Sequence, residues 1–132
     1  MKKILKNERG SEVIEFVILF PILVFLIFGA ITFFLATYSK IIVADAAREG
    51  ARAGALAASG EVEATAREKV RDVIEGAAVN AFEITQIDVV VEDDEPYEVV
   101  NVKVTGSHSS LVPAVVKPMT ISSTGVFKRE KR

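Results

Sequence analysis

Few residues in this chain have the types and spacing that chemistry needs. His108 is the only histidine, set between serines in Gly106-Ser107-His108-Ser109-Ser110. A serine–histidine nucleophile needs a third group to orient the imidazole and a pocket for the substrate. The surrounding residues instead have the composition of a turn. Glu92-Asp93-Asp94-Glu95 places carboxylates in succession, the oxygen-rich pattern that attracts Ca²⁺. Followed by Pro96, the run reads first as the solvated end of a hairpin. The chain has no cysteine, which excludes disulfides, thiol nucleophiles and thiolate metal sites. It has no phosphate loop and no H-E-x-x-H. We therefore expect no enzyme activity, no cofactor and no metal. One carboxylate is left without a bland role: Glu15, at the head of an otherwise apolar stretch.

The element that positions Glu15 is that stretch. From Phe16 to Ser39 the only ionisable group is the phenol of Tyr38. The run is roughly 24 residues, or about 36 Å of helix, against about 30 Å of bilayer hydrocarbon. It is too long for the apolar core of a secretory signal and ends without a small-residue cleavage pattern, so it reads as a single-pass anchor. Lys2, Lys3, Lys6 and Arg9 precede it against Glu8 alone. Positive charge flanking a first span stays inside, which puts the N-terminus in the cytoplasm and everything after Lys40 outside. No basic patch with interleaved aromatics follows, which argues against nucleic acid. At 132 residues and a net charge of −2, the chain has room for one modest domain beyond the span. A domain that small is expected to draw stability from the membrane and from partners.

Glu15 lies within Lys6-Asn7-Glu8-Arg9-Gly10-Ser11-Glu12-Val13-Ile14-Glu15-Phe16. A charge at mid-bilayer costs at least about 2.5–3.5 kcal/mol, whereas near the interface it can snorkel to water. A plain anchor with a glutamate at its wet end is therefore one reading. The order of residues is more specific: a basic segment, a glycine, a small residue, then glutamate and phenylalanine. It resembles the processing site of type IV prepilins, which a dedicated prepilin peptidase cuts after the glycine on the cytoplasmic side. The resemblance implies cleavage between Gly10 and Ser11, leaving Glu15 and Phe16 near the start of the mature chain. Such a cut frees an α-amino group at the head of an apolar helix. The Glu15 carboxylate of a neighbouring subunit can neutralise it once helices bundle away from water. A charge pair of this kind is strong only when both partners are desolvated, and costly when one is missing. It would select the correct register during assembly.

Pro21 lies inside the span and removes one helical hydrogen bond, favouring a kink. Beyond the span, Ala44, Ala47, Ala51, Gly54, Ala55 and Ala58 recur at helical spacing, a stripe of tiny side chains that lets another backbone approach closely. Gly50 and Gly54 form a G-x-x-x-G, but its usual packing argument belongs to apolar membrane helices, and Arg48 and Arg52 stand alongside. Together, Gly10-Ser11-Glu12-Val13-Ile14-Glu15-Phe16-Val17-Ile18-Leu19-Phe20-Pro21 and Ala46-Ala47-Arg48-Glu49-Gly50-Ala51-Arg52 resemble the TadE-type pseudopilins of Tad (tight adherence, Flp-type) pilus systems. The resemblance covers residues 10–55. It implies a minor pilin in a bacterial cytoplasmic membrane, working in adherence with a prepilin peptidase, other pilin and pseudopilin subunits and a pilus assembly platform. It also implies helix packing through Ala47, Arg48, Gly50, Ala51 and Arg52. Relatives often carry an acid in the second aromatic cluster, where this chain has Thr32-Phe33-Phe34, so no second membrane charge pair is carried over.

After Ser59-Gly60, Glu61 and Glu63 favour a new helix start, with Val62, Ala66, Val70, Val73, Ile74 and Ala77 on one face. Ile87, Val89 and Val91 then alternate with polar neighbours, as do Val100, Val102 and Val104, which reads as an antiparallel hairpin. Met119 to Phe127 is a weaker third strand, and Leu111–Val116 an apolar loop expected to pack on a partner or on the membrane. The expected fold is α+β: a leader over residues 1–10, a transmembrane and stalk helix over 11–59, and a small extracytoplasmic domain over 60–132. The functional alternative to a pilin is a bitopic anchor protein whose outer domain binds a ligand or envelope component outside any filament.

Overall fold

A computed structural model describes residues 8–77, 82–108 and 117–131, with side chains in the first helix from Glu12 onward. The elements are α1 (Glu8–Leu56), α2 (Val62–Gly76), β1 (Phe82–Asp94), β2 (Tyr97–His108) and β3 (Met119–Glu130). The fold is α+β, as the patterning predicts. By contacts the chain divides into two compact units, Met1–Phe33 and Phe34–Arg132. In the first, α1 runs on through Pro21 without interruption.

In the second unit the strands form one antiparallel sheet in the order β1-β2-β3. Central β2 buries Val100, Val102, Val104, Gly106 and His108 on one face, and Val99 on the other. The second half of α1 crosses that face. Its buried residues are Val43, Ala46, Ala47, Ala51 and Ala55, so helix and sheet meet through alanine and glycine, not through large side chains. The largest fully buried side chains in the domain are five valines and Ser39. At about 1.5–3 kcal/mol for each buried valine, so thin a core must rely on close approach. Gly125 of β3 supplies it: a Cβ there would overlap the Ala47 carbonyl and the Arg48 nitrogen.

The helix over Val62–Gly76 buries Val62, Ala66 and Val70, as its periodicity requires. It reaches β1 and also lies against α1 at two glycines. A Cβ on Gly50 would lie 2.5 Å from Val70 Cγ2 and 3.1 Å from the Ala66 carbonyl oxygen, and one on Gly54 would lie 3.1 Å from Ala66 Cβ. The G-x-x-x-G therefore lets two helices touch at their backbones.

Two expectations about turns change. The turn is Glu95-Pro96 alone, because Glu92, Asp93 and Asp94 belong to β1. Lys128 and Lys131, at and just past the end of β3, pair with Asp94 and Asp93. Gly106-Ser107-His108 is strand, not turn. A Cβ at Gly106 would strike the Phe82 ring and the Glu83 carbonyl, next to the register shift between Ile84 and Gln86. This glycine serves close approach within a sheet. The loop Leu111–Val116 lies outside the described residues, as do residues 1–7 of the leader.

Candidate functional site

The N-terminal unit is a helix whose apolar side chains are largely exposed. Val13, Ile14, Phe16, Val17, Ile18 and Leu19 are all well exposed, and the Phe16 and Phe20 rings lie 5.6 Å apart. Among the described residues this is the one helix long and apolar enough to cross a membrane, by length and composition. It fits a single-pass anchor. Glu15 projects from it, exposed and without an ion pair among the described residues. Gly10 and Ser11 lie on the backbone of its first turns. Thr32 satisfies its own hydroxyl by donating to the Phe28 carbonyl at 2.8 Å.

The residues expected to pack a helix divide into two sets. Ala47, Gly50 and Ala51 are buried, and their partners are this chain's own sheet and α2. Arg48 and Arg52 are exposed, and Arg48 approaches Asp45 at 3.8 Å. An exposed pair of that length contributes little. The AAREGAR segment thus has a buried side that packs on the sheet and α2 and an exposed side that carries charge.

His108 is 2% exposed, with Nδ1 3.2 Å from Ser39 Oγ. The Ser39 hydroxyl already donates to the Leu35 carbonyl at 2.9 Å. Nδ1 must therefore carry the proton and donate to Ser39, a tautomer inferred from the bonding pattern. Nε2 is buried without a partner among the described residues. The pair joins the end of the apolar run to the end of β2. Sequence reading missed it because the two residues are 69 positions apart.

The carboxylates beside the Glu95-Pro96 turn are met by cations. Lys128 pairs with Asp94 at 2.8 Å, and Lys131 reaches Asp93 at 3.1 Å and Glu95 at 3.4 Å. Arg129 and Glu98 pair at 2.5 Å with side chains 14% and 22% exposed. Arg129 also donates to the Ala57 carbonyl at 2.9 Å, tying the end of α1 to the sheet. The Lys128 hydrogen bond, then its charge, holds the Asp94 carboxyl below its ordinary value, and Asp94 raises Lys128 in return. Asp93 likewise raises Lys131. Among the described residues no group of three or more such side chains is placed to hold a metal ion.

Residues 10–52 match the model of a family described as TadE-like protein. No curated protein and no solved structure matches the chain. The matched span contains the Gly10–Phe16 segment, the apolar helix and Ala46–Arg52. Over residues 10–52 the chain is similar to a TadE-like, pilin-related family, a likeness that suggests association with a Tad pilus.

Proposed function

We propose that the chain is a minor pilin or pseudopilin with a structural, non-catalytic part in assembling a Tad-type pilus that serves adherence. The observation that carries this reading is Glu15, an exposed carboxylate on an exposed apolar helix inside the TadE-like match. A prepilin peptidase cuts between Gly10 and Ser11, and the new α-amino group heads the helix. The assembly platform then brings the helix among those of other pilin subunits. There a neighbour's Glu15 neutralises the amino group, while Phe16 and the residues after it exchange lipid for protein. The attraction is about 4 kcal/mol at 4 Å for an effective dielectric constant near 20. That is enough to reject a neighbour in the wrong register. The leader stays in the cytoplasm and the domain beyond Lys40 lies outside.

Replacing Glu15 with glutamine tests this reading, because shape is kept and charge is lost. Cleavage and membrane insertion should persist. Association should fail, since a buried unpaired cation costs several kcal/mol. The readout is crosslinking to other pilins, and surface pili, in cells producing Glu15→Gln at normal levels. Unchanged crosslinking and unchanged pili would reduce Glu15 to the wet end of an anchor, the arrangement a membrane-bound binding protein would have.

A further inference from the structure

Exposed apolar groups continue the membrane-spanning run into the Phe34–Arg132 unit. Phe34 and Tyr38 stack there, with ring centroids 6.4 Å apart and planes within 4° of parallel. Phe34, Tyr38 and Ile41 fall on one face of α1 by their helical spacing, and all three are exposed. Ile41 carries that face past Lys40, the first charge after the run.

The sheet of the same unit is fixed at that point. Ser39, the last residue of the run, accepts from His108 at the end of β2. His108 stands in register between Phe82 of β1 and Met119 of β3. Farther along, Gly125 of β3 lies against the Ala47 backbone, and Arg129 of β3 donates to the Ala57 carbonyl. The sheet therefore lies along α1 from Ser39 to Ala57, and its first row, Phe82-His108-Met119, is beside the end of the run. His108 at the centre of that row is buried, whereas Met119 at its corner is 51% exposed. The next row, Glu83-Ser107-Thr120, is polar. Lys117, exposed, precedes Met119.

Length puts this end of the sheet at a bilayer surface. The run of roughly 24 residues makes about 36 Å of helix, against about 30 Å of hydrocarbon. A run that starts at one boundary of the hydrocarbon ends about 6 Å beyond the other, inside a headgroup layer about 5–7 Å deep. The stacked rings of Phe34 and Tyr38 suit that layer, where aromatic side chains gather. Met119 is one strand from His108, about 4.8 Å. Apolar groups at an interface sink about 5–10 Å into the headgroup and acyl boundary, so Met119 is within reach of it. Its unbranched thioether adapts to irregular apolar surroundings, and Lys117 can lay its stem there while its ammonium stays in water. We infer that the Met119 corner of the sheet is a second membrane contact, sunk in the phospholipid headgroup layer beside Phe34, Tyr38 and Ile41 of α1. The contact is continuous with the span and rests on the membrane anchoring in the proposed function, not on leader cleavage or pilus assembly. Val126, toward the other end of β3, stays in water.

The chain has no cysteine, so a nitroxide label can be placed at one position at a time through Met119→Cys, Val126→Cys or Phe25→Cys. Met119 and Val126 are matched in exposure, at 51% and 57%, so burial within the chain does not separate them. Full-length labelled protein is reconstituted in phosphatidylcholine vesicles. Power-saturation EPR then compares collisions with oxygen, which concentrates in lipid, and with a nickel chelate, which stays in water. Phe25→Cys, inside the span, should be oxygen-dominated. At Met119→Cys the ratio of oxygen to nickel collisions should be several-fold higher than at Val126→Cys. Equal ratios at the two positions, with Phe25→Cys oxygen-dominated, would overturn the contact and leave the anchoring standing. A Met119→Cys label shielded from both reagents would also overturn it, because protein and not lipid would then cover the corner. A Phe25→Cys label open to nickel would overturn the contact and the anchoring together.

Discussion

Gly125→Ala is the substitution that most directly probes how the Phe34–Arg132 unit is held together. The new methyl would meet the Ala47 carbonyl carbon and oxygen and the Arg48 nitrogen. All three are backbone, so no rotamer change relieves the overlap, and α1 must lift from the sheet. Overpacking ordinarily costs about 1–3 kcal/mol. With backbone on both sides the cost should reach about 3 kcal/mol, reduced by the roughly 0.5–1 kcal/mol that alanine gains over glycine inside a strand. Gly50→Ala meets Val70 Cγ2 at 2.5 Å, a side chain that can turn aside, and gains about 1 kcal/mol of helix propensity. Its net cost should be smaller. Gly54→Ala, with contacts of 3.1–3.4 Å, should be close to neutral. Gly60→Ala, with nothing within 4 Å, is the control. For a domain of this size about 1 kcal/mol moves Tm by roughly 4–8 °C, so Gly125→Ala should lower it by about 10–20 °C. The assay is thermal unfolding of the full-length protein in detergent, following hydrogen exchange of the β2 and β3 amides. A Gly125→Ala protein that melts with Gly60→Ala would refute the reasoning that close helix–sheet approach holds this domain.

Arg129→Ala should cost about 1–3 kcal/mol, because it leaves a largely buried Glu98 and a helix-end carbonyl without their donor. The loss should appear as faster exchange around Ala55–Ser59, and unchanged exchange there would contradict it. The Asp94–Lys128 pair predicts a weak dependence of stability on pH at both extremes. Its contribution is complete above the ordinary Asp94 value of 3.8 and is lost as pH falls through the lowered one. On the alkaline side it is complete below 10.5 and is lost as pH rises through the raised Lys128 value. Both groups are exposed, so salt should flatten the effect. Asp94→Asn should remove the acid limb and weaken the alkaline one in Tm measured against pH, and a profile unchanged by that substitution would refute the pairing.

The parts of the fold legible in the sequence are those with local signals. The apolar run, the alternating valines of β1 and β2 and the apolar face of α2 are each visible within about a dozen residues. Glu15 was legible for the same reason, as a charge that breaks a local pattern. The misread stretches depend on distant partners. Glu92–Asp94 looks like a turn until Lys128 and Lys131 are folded against it, and Gly106 looks like a turn until the Phe82 ring fills the space beside it. β3 looks weak because its serines and threonines carry little apolar signal. Its place is set by Gly125 lying under Ala47, which no window of sequence contains.

The central claim, pilin-type maturation of the N-terminal helix, is tested most directly by the intact mass and N-terminal residue of the protein purified from the membranes of cells that make its pilus. The account predicts a chain that begins at Ser11 and lacks the basic leader. A chain that retains Met1 through Gly10 in piliated cells would contradict it.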